Sequence, residues 1–146
     1  FLGVTFNYGL LLGWTSINGE ISLIPIILYL GAIFWTLGYD TIYGFQDIED
    51  DEIIGVKSTS IKFKQNPKIF LSICYLIFTS FFVITGIKLS FNYYFFIGAM
   101  AVLFHLFVIQ IMSFNKENKE KCLEIFKGNN VLGLIILICI LIGKLN

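Results

Sequence analysis

Residues 23–39, 69–87, 92–114 and 130–142 each run without an Asp, Glu, Lys or Arg. A helix that crosses a bilayer needs about 20 mostly apolar residues, and the first three of these runs are of that order. Inside lipid the backbone must satisfy its own hydrogen bonds, so apolar runs of this length imply helices. Composition closes off the soluble alternative. The chain has 146 residues, 57% of them hydrophobic and 14% charged, with mean hydropathy +0.83. A water-soluble domain of this size cannot hide that much apolar surface.

Five spans are expected: about 1–14, which is short; 23–46; 67–87, with Pro67 suited to a first helical turn; 92–114; and 130–142. The last is short unless it tilts or begins earlier, within 122–127. No soluble domain fits between them. The expected fold class is all-α, a multi-pass transmembrane helical bundle.

The charges are unevenly placed. Ten lysines, no arginine and ten acids sum to zero, which leaves nucleic-acid binding without a basic face. Lys57, Lys62, Lys64 and Lys68 follow the second span, and Lys116, Lys119, Lys121 and Lys127 follow the fourth. The opposite side has only Lys88 and Lys144. Positive loops stay inside, so both lysine-rich loops belong to the cytoplasmic or matrix face and the C-terminus to the other. The chain is expected in a bacterial inner membrane, with a mitochondrial inner membrane as the alternative. Cys74, Cys122 and Cys139 share no metal-ligand spacing and read as small buried hydrophobes.

All four aspartates, Asp40, Asp47, Asp50 and Asp51, lie at the end of the second span. If that helix continues, Asp40, Tyr43, Asp47 and Asp51 share one face, with offsets of three and four. Asp47 and Asp51 form a DxxxD pair whose carboxylates can converge on one hard cation. Mg²⁺ takes one or two carboxylates plus phosphate oxygens and water, and Lys57 could meet the remaining phosphate charge. A solvated acidic loop paired with the nearby lysines is the alternative from spacing alone. Asp40 favours a site, because an ionisable group inside an apolar helix is costly and usually functional. The ligand spacing of an EF-hand is absent. Residues 57–64 suit a short interfacial helix capped near Ser58, lying over the acidic end as a lid; an extended loop is the alternative.

The string Tyr39-Asp40-Thr41-x-Tyr43-x-x-x-Asp47-x-x-Asp50-Asp51-x-x-x-Gly55-Val56-Lys57-Ser58-Thr59 resembles the second aspartate-rich motif of the UbiA prenyltransferase superfamily. It is most similar to the 4-hydroxybenzoate polyprenyltransferase branch, of ubiquinone biosynthesis. Asn129-Asn130-Val131-x-Gly133 also resembles that family. The resemblance implies a nine-helix enzyme of which this chain, residues 1–146, is the last five helices. It implies Mg²⁺-dependent transfer of a polyprenyl group from polyprenyl diphosphate to a ring carbon of 4-hydroxybenzoate. Asp47 and Asp51 would hold metal and diphosphate as the catalytic pair. Asp40 and Tyr43 would line the substrate pocket, and Lys57 would contact phosphate.

The family's first motif, NDxxDxxxD, is not in this sequence. The chain opens on Phe1 inside an apolar run and reads as a piece of a longer protein. It is expected to be inactive without an N-terminal half, whether as a fragment, a split subunit or a decayed gene product. The alternatives are a sibling enzyme using naphthoate, homogentisate or haem, an ion-path subunit using Asp40 and His105, and a non-catalytic membrane subunit. His105 reads as a bundle-facing polar residue, and Gln110 as either interfacial or hydrogen-bonded between helices. Gly9-x-x-x-Gly13 reads as close helix packing. Trp14, Tyr93 and Tyr94 suit an aromatic belt at span ends.

Overall fold

The computed structural model describes residues 2–145. The elements are α1 (Leu2–Phe6), α2 (Tyr8–Asn18), α3 (Leu23–Tyr43), α4 (Ile48–Ile54), α5 (Thr59–Lys62), α6 (Pro67–Lys88), α7 (Tyr93–Phe104), which continues as a π-helix over His105–Met112, and α8 (Lys119–Lys144). There is no strand among the described residues. Among the described residues, four helices are long and apolar enough to cross a membrane: α3, α6, α7 with its π extension, and α8. The last span does begin earlier than residue 130, which makes it long enough.

The expected first span is a correction. It is two short helices broken at Asn7, neither long enough to cross. The Asn7 side chain explains the break, because a short amide competes with the helical backbone. Its Nδ2 donates to Gly3 O at 2.8 Å, to Thr36 Oγ1 at 2.8 Å and to Ala32 O at 3.3 Å, pinning the break to α3.

The long helices pack antiparallel. Gly31 of α3 lies against Phe81 and Phe78 of α6, and Gly38 against the Tyr75 ring; a side chain at Gly38 would collide with that ring. Gly98 of α7 makes the same close approach to Cys139 of α8. Small residues at such crossings let helices approach where no hydrophobic drive separates protein from lipid. The core holds Phe45, Tyr75, Phe78, Phe82, Phe95 and Leu106, all nearly inaccessible. The outward stripe Ile97, Met100 and Phe104 of α7 is exposed. Its spacing of three and four makes one helix face, as lipid contact requires. The three cysteines are free and buried.

This pairing puts the end of α3, the start of α6, the end of the π-helix and the start of α8 at one end of the bundle. The acidic stretch and both lysine-rich loops therefore meet. At the other end, Asn92 caps α7 by accepting from Tyr94 N at 3.1 Å and Phe95 N at 3.4 Å, while its Nδ2 donates to Ile142 O at 2.9 Å. Tyr93 and Tyr94 are exposed at that end, as a belt position predicts. Gly9 and Gly13 have open space where a Cβ would go, so they mark no close packing here.

Candidate active site

The second span does not continue to residue 46. Helix α3 ends at Tyr43, residues 44–47 form a turn, and α4 starts afresh at Ile48. The expected single face of Asp40, Tyr43, Asp47 and Asp51 is thus split between two helices. Two residues explain the break. Phe45 turns into the core, 1% exposed, with its ring 5.3 Å from Phe114. Gly44 lies under α5 so closely that a Cβ would strike Ser60 Oγ. The turn is closed by Gly44 N to Asp40 O at 2.9 Å and Gln46 N to Tyr43 O at 2.8 Å.

Asp47 occupies the N-cap position of α4 but makes no side-chain cap bond. Asp51 follows one turn later, its N–H bonded to Asp47 O at 2.9 Å. The pair therefore keeps its DxxxD relation on α4. The helix closes at Gly55, whose φ of +79° is left-handed, as C′ glycines are. Lys57 lies just beyond, exposed, in the segment leading to α5.

The expected interfacial helix is α5. Ser58 caps it, accepting from Ile61 N at 3.3 Å. Ser60 Oγ donates to Thr41 O at 2.9 Å, and the Thr41 and Thr59 hydroxyls are 2.7 Å apart. These bonds stitch α5 across the end of α3.

The electrostatics separate the acids into two groups. Glu52 is paired with Lys64 at 2.8 Å and Glu49 with Lys119 at 2.9 Å. The second pair joins the two lysine-rich loops. The Lys119 hydrogen bond and charge hold the Glu49 carboxyl below its ordinary value. Asp47, Asp50 and Asp51 have no ion-pair partner among the described residues, nor does Lys57. The glutamates of α4 are thus ion-paired and its aspartates are not, although Lys119 lies near enough to Asp50 and Asp47 to feel their charge. No group of three or more His, Cys, Asp or Glu side chains is gathered for a metal among the described residues. Two free carboxylates one turn apart still fit Mg²⁺, which completes its shell with phosphate and water.

An aromatic column runs along the last turns of α3. Trp35, Tyr39 and Tyr43 follow one another at four-residue spacing on α3. Trp35 meets Tyr39 edge-on at 5.7 Å, and Phe126 of α8 lies 5.8 Å from Tyr39 and 4.6 Å from Tyr43. Tyr43 is 38% exposed. Asp40 is half-buried, one turn beyond Thr36, whose Oγ1 accepts from Asn7 and from Tyr39 OH at 3.3 Å.

The model of the UbiA prenyltransferase family matches residues 1–136. The chain belongs to that family. It is 39% identical over 145 residues to "4-hydroxybenzoate polyprenyltransferase, mitochondrial" of Dictyostelium discoideum, covering 99% of this chain and 31% of that protein. Proteins of the same name are 40% identical in Drosophila melanogaster and 38% in Homo sapiens, again over 99% of this chain, and over 37% and 39% of theirs. The chain thus spans about a third of the length of these relatives. No solved structure gives a significant match.

Within this UbiA chain, sequence reasoning did not find the polar network behind the column. Tyr75 OH donates to Gln110 Oε1 at 2.6 Å. Gln110 Nε2 donates to Asn129 Oδ1 at 3.0 Å, and Trp35 Nε1 to the same oxygen at 2.9 Å. Four helical segments meet there. Of the two readings of Gln110, interfacial or hydrogen-bonded between helices, the second is present; the roles of Trp35 and Tyr75 had no separate signal, since both read as ordinary aromatic residues in apolar runs. Lys119 counted only as one of the loop lysines. His105 Nε2 is buried without a hydrogen-bond partner.

Proposed function

We propose that this chain is the C-terminal part of an integral membrane enzyme that transfers a polyprenyl group from polyprenyl diphosphate to a ring carbon of 4-hydroxybenzoate, in ubiquinone biosynthesis. The names of its relatives support the reaction. The observation that carries the assignment to residues is the selective neutralisation on α4. Lysines pair with Glu49 and Glu52, while Asp47 and Asp51, across the turn that follows Tyr43, have no ion-pair partner among the described residues. Paired carboxylates with no cation of their own are a place for Mg²⁺ and a diphosphate.

Asp47 and Asp51 hold the metal, and Lys57 contacts diphosphate. Asp40 and Tyr43 line the pocket beneath. Mg²⁺ bound there would neutralise the charge that gathers on the leaving diphosphate. The allylic C–O bond breaks with its electron pair going to diphosphate. The ring carbon beside the phenol hydroxyl forms the new C–C bond, and its proton is lost. The apolar bundle shelters the isoprenoid and keeps water from the cation. The first aspartate-rich motif comes from an N-terminal half that this chain works with. The lysine bias supports a cytoplasmic or matrix-facing site, and the relatives' names, which say mitochondrial, favour a mitochondrial membrane over the bacterial one expected first.

The test is a chimaera. This chain replaces the matching third of the Dictyostelium discoideum relative, and membranes are assayed for Mg²⁺-dependent prenylation of 4-hydroxybenzoate. Activity is expected, with its loss in Asp47→Ala plus Asp51→Ala. Undiminished activity in the double variant overturns the site.

A further inference from the structure

We propose that Asn129 is a positioning residue for prenyl transfer, acting through Trp35 and Phe126 to hold the aromatic column against the allylic cation. The inference rests on the prenyl-transfer reading above. Asn129 is 8% exposed and uses its whole amide. Oδ1 accepts from Trp35 Nε1 and from Gln110 Nε2, and Nδ2 donates to the carbonyls of Ile125 and Phe126, each at 3.2 Å. One side chain therefore ties the indole at the inner end of the column to the backbone of the ring that packs on its outer end.

The network is rigidly anchored on its far side. Gln110 is 1% exposed and Tyr75 fully buried, and Gly38 admits the Tyr75 ring where any Cβ would collide with it. In an apolar bundle an indole N–H, an amide and a phenol each lose water, so each must find a partner or remain unsatisfied. Packing alone needs none of them. Leucine and phenylalanine would fill the same space at no polar cost. What the amide adds is direction: it fixes how the Trp35 ring is turned about its bonds, and Trp35 meets Tyr39 edge-on while stacking on Phe78 at 5.4 Å. Tyr39 and Tyr43 then share Phe126. Ring faces attract cations, and that attraction depends on where the face points. The column leads from the bundle interior to Tyr43, four residues before Asp47. Under the prenyl-transfer reading, with diphosphate held at Asp47 and Asp51 across the 44–47 turn, the first carbons of the isoprenoid would lie at the Tyr43 end of these rings.

The mechanism gives the test its readout. Once the C–O bond has broken, the cation has two fates. Attack by the ring carbon forms C–C and releases a ring proton to water. Attack by water forms C–O, releases its own proton and yields the prenyl alcohol. A well-held cation waits for the ring; a poorly held one is lost to water. The ratio of prenyl alcohol to prenylated 4-hydroxybenzoate does not depend on how much folded enzyme is present.

The chimaera is assayed as wild type, Asn129→Leu and Trp35→Phe, with Mg²⁺, labelled prenyl diphosphate and 4-hydroxybenzoate. Misplacement by about 1 Å can cost on the order of 100-fold in rate, so kcat is expected to fall by about ten-fold or more in both variants. KM for the diphosphate stays within about two-fold, because Asp47 and Asp51 are untouched, and the alcohol ratio rises several-fold. The double variant is expected to match the worse single variant, since both act through one bond. An unchanged alcohol ratio overturns the inference, even where total activity falls. Absence of any Mg²⁺-dependent diphosphate release from the wild-type chimaera overturns instead the prenyl-transfer reading beneath it.

Discussion

Breaking the Tyr75–Gln110 bond from either side should cost more than breaking it from both. Tyr75 and Gln110 are 0% and 1% exposed, and their bond is 2.6 Å long. Tyr75→Phe leaves Gln110 Oε1 buried without a donor. Gln110→Leu leaves the Tyr75 hydroxyl buried without an acceptor, while Asn129 Oδ1 still receives Trp35 Nε1. A stranded buried polar group costs about 1–3 kcal/mol, whereas replacing both partners by apolar groups is nearly neutral. Lipid-embedded pairs tend to couple less strongly, about 0.6 kcal/mol on average and up to about 1.7. The short bond and complete burial place this pair at the upper end, so the expected coupling is about 1–2 kcal/mol. Each single variant should lower stability by about 1–3 kcal/mol, and the double variant should be no worse than the milder single one. Unfolding of the chimaera in detergent micelles, followed by helical circular dichroism against added denaturing detergent, measures all four corners of the cycle. Simple additivity would refute the reasoning, because it would mean that neither group is stranded by loss of the other.

Gly44→Ala should loosen α5, since the new methyl meets Ser60 Oγ; overpacking of this kind costs about 1–3 kcal/mol. Ser60→Ala on the same background should recover part of that loss while giving up its bond to Thr41 O, and protease sensitivity near Lys57 reads both changes. The Glu49–Lys119 pair should give a small pH dependence. Lys119 depresses the Glu49 carboxyl, so its stabilising effect is present above the unfolded carboxylate value and fades as pH falls through the depressed folded value. The thermal midpoint of Lys119→Gln should therefore fall less steeply than wild type on acidification below about pH 4; parallel curves would show that the pair does nothing.

The apolar spans were readable in the sequence because lipid leaves a chain few choices. Residues 67–87 and 92–114 match α6 and α7 with its extension almost end to end. The shared side of the two lysine-rich loops was likewise legible, since only an even number of crossings separates them. What sequence could not give was the break after Tyr43. A 3.6-residue period through residues 40–51 is unbroken on paper, and the interruption comes from tertiary demands: Phe45 seeks the core and Gly44 admits α5. Asn7 broke the first helix for a similar reason, its amide finding Thr36 on a neighbouring helix. The DxxxD pair keeps its one-turn spacing because Asp47 holds the N-cap position of α4, the helix that carries Asp51. The neutralisation pattern was invisible, because which lysine reaches which acid depends on the meeting of loops 70 residues apart.

The central claim is that the free aspartates, and not the acidity of the stretch as a whole, make the site. A charge-matched comparison tests it most directly. In the chimaera, Asp47→Asn plus Asp51→Asn and Glu49→Gln plus Glu52→Gln each remove two negative charges from α4. The account predicts that the aspartate pair loses about 100-fold or more of its Mg²⁺-dependent kcat/KM for polyprenyl diphosphate. It predicts that the glutamate pair stays within a few-fold of wild type. Equal losses in the two variants would contradict it.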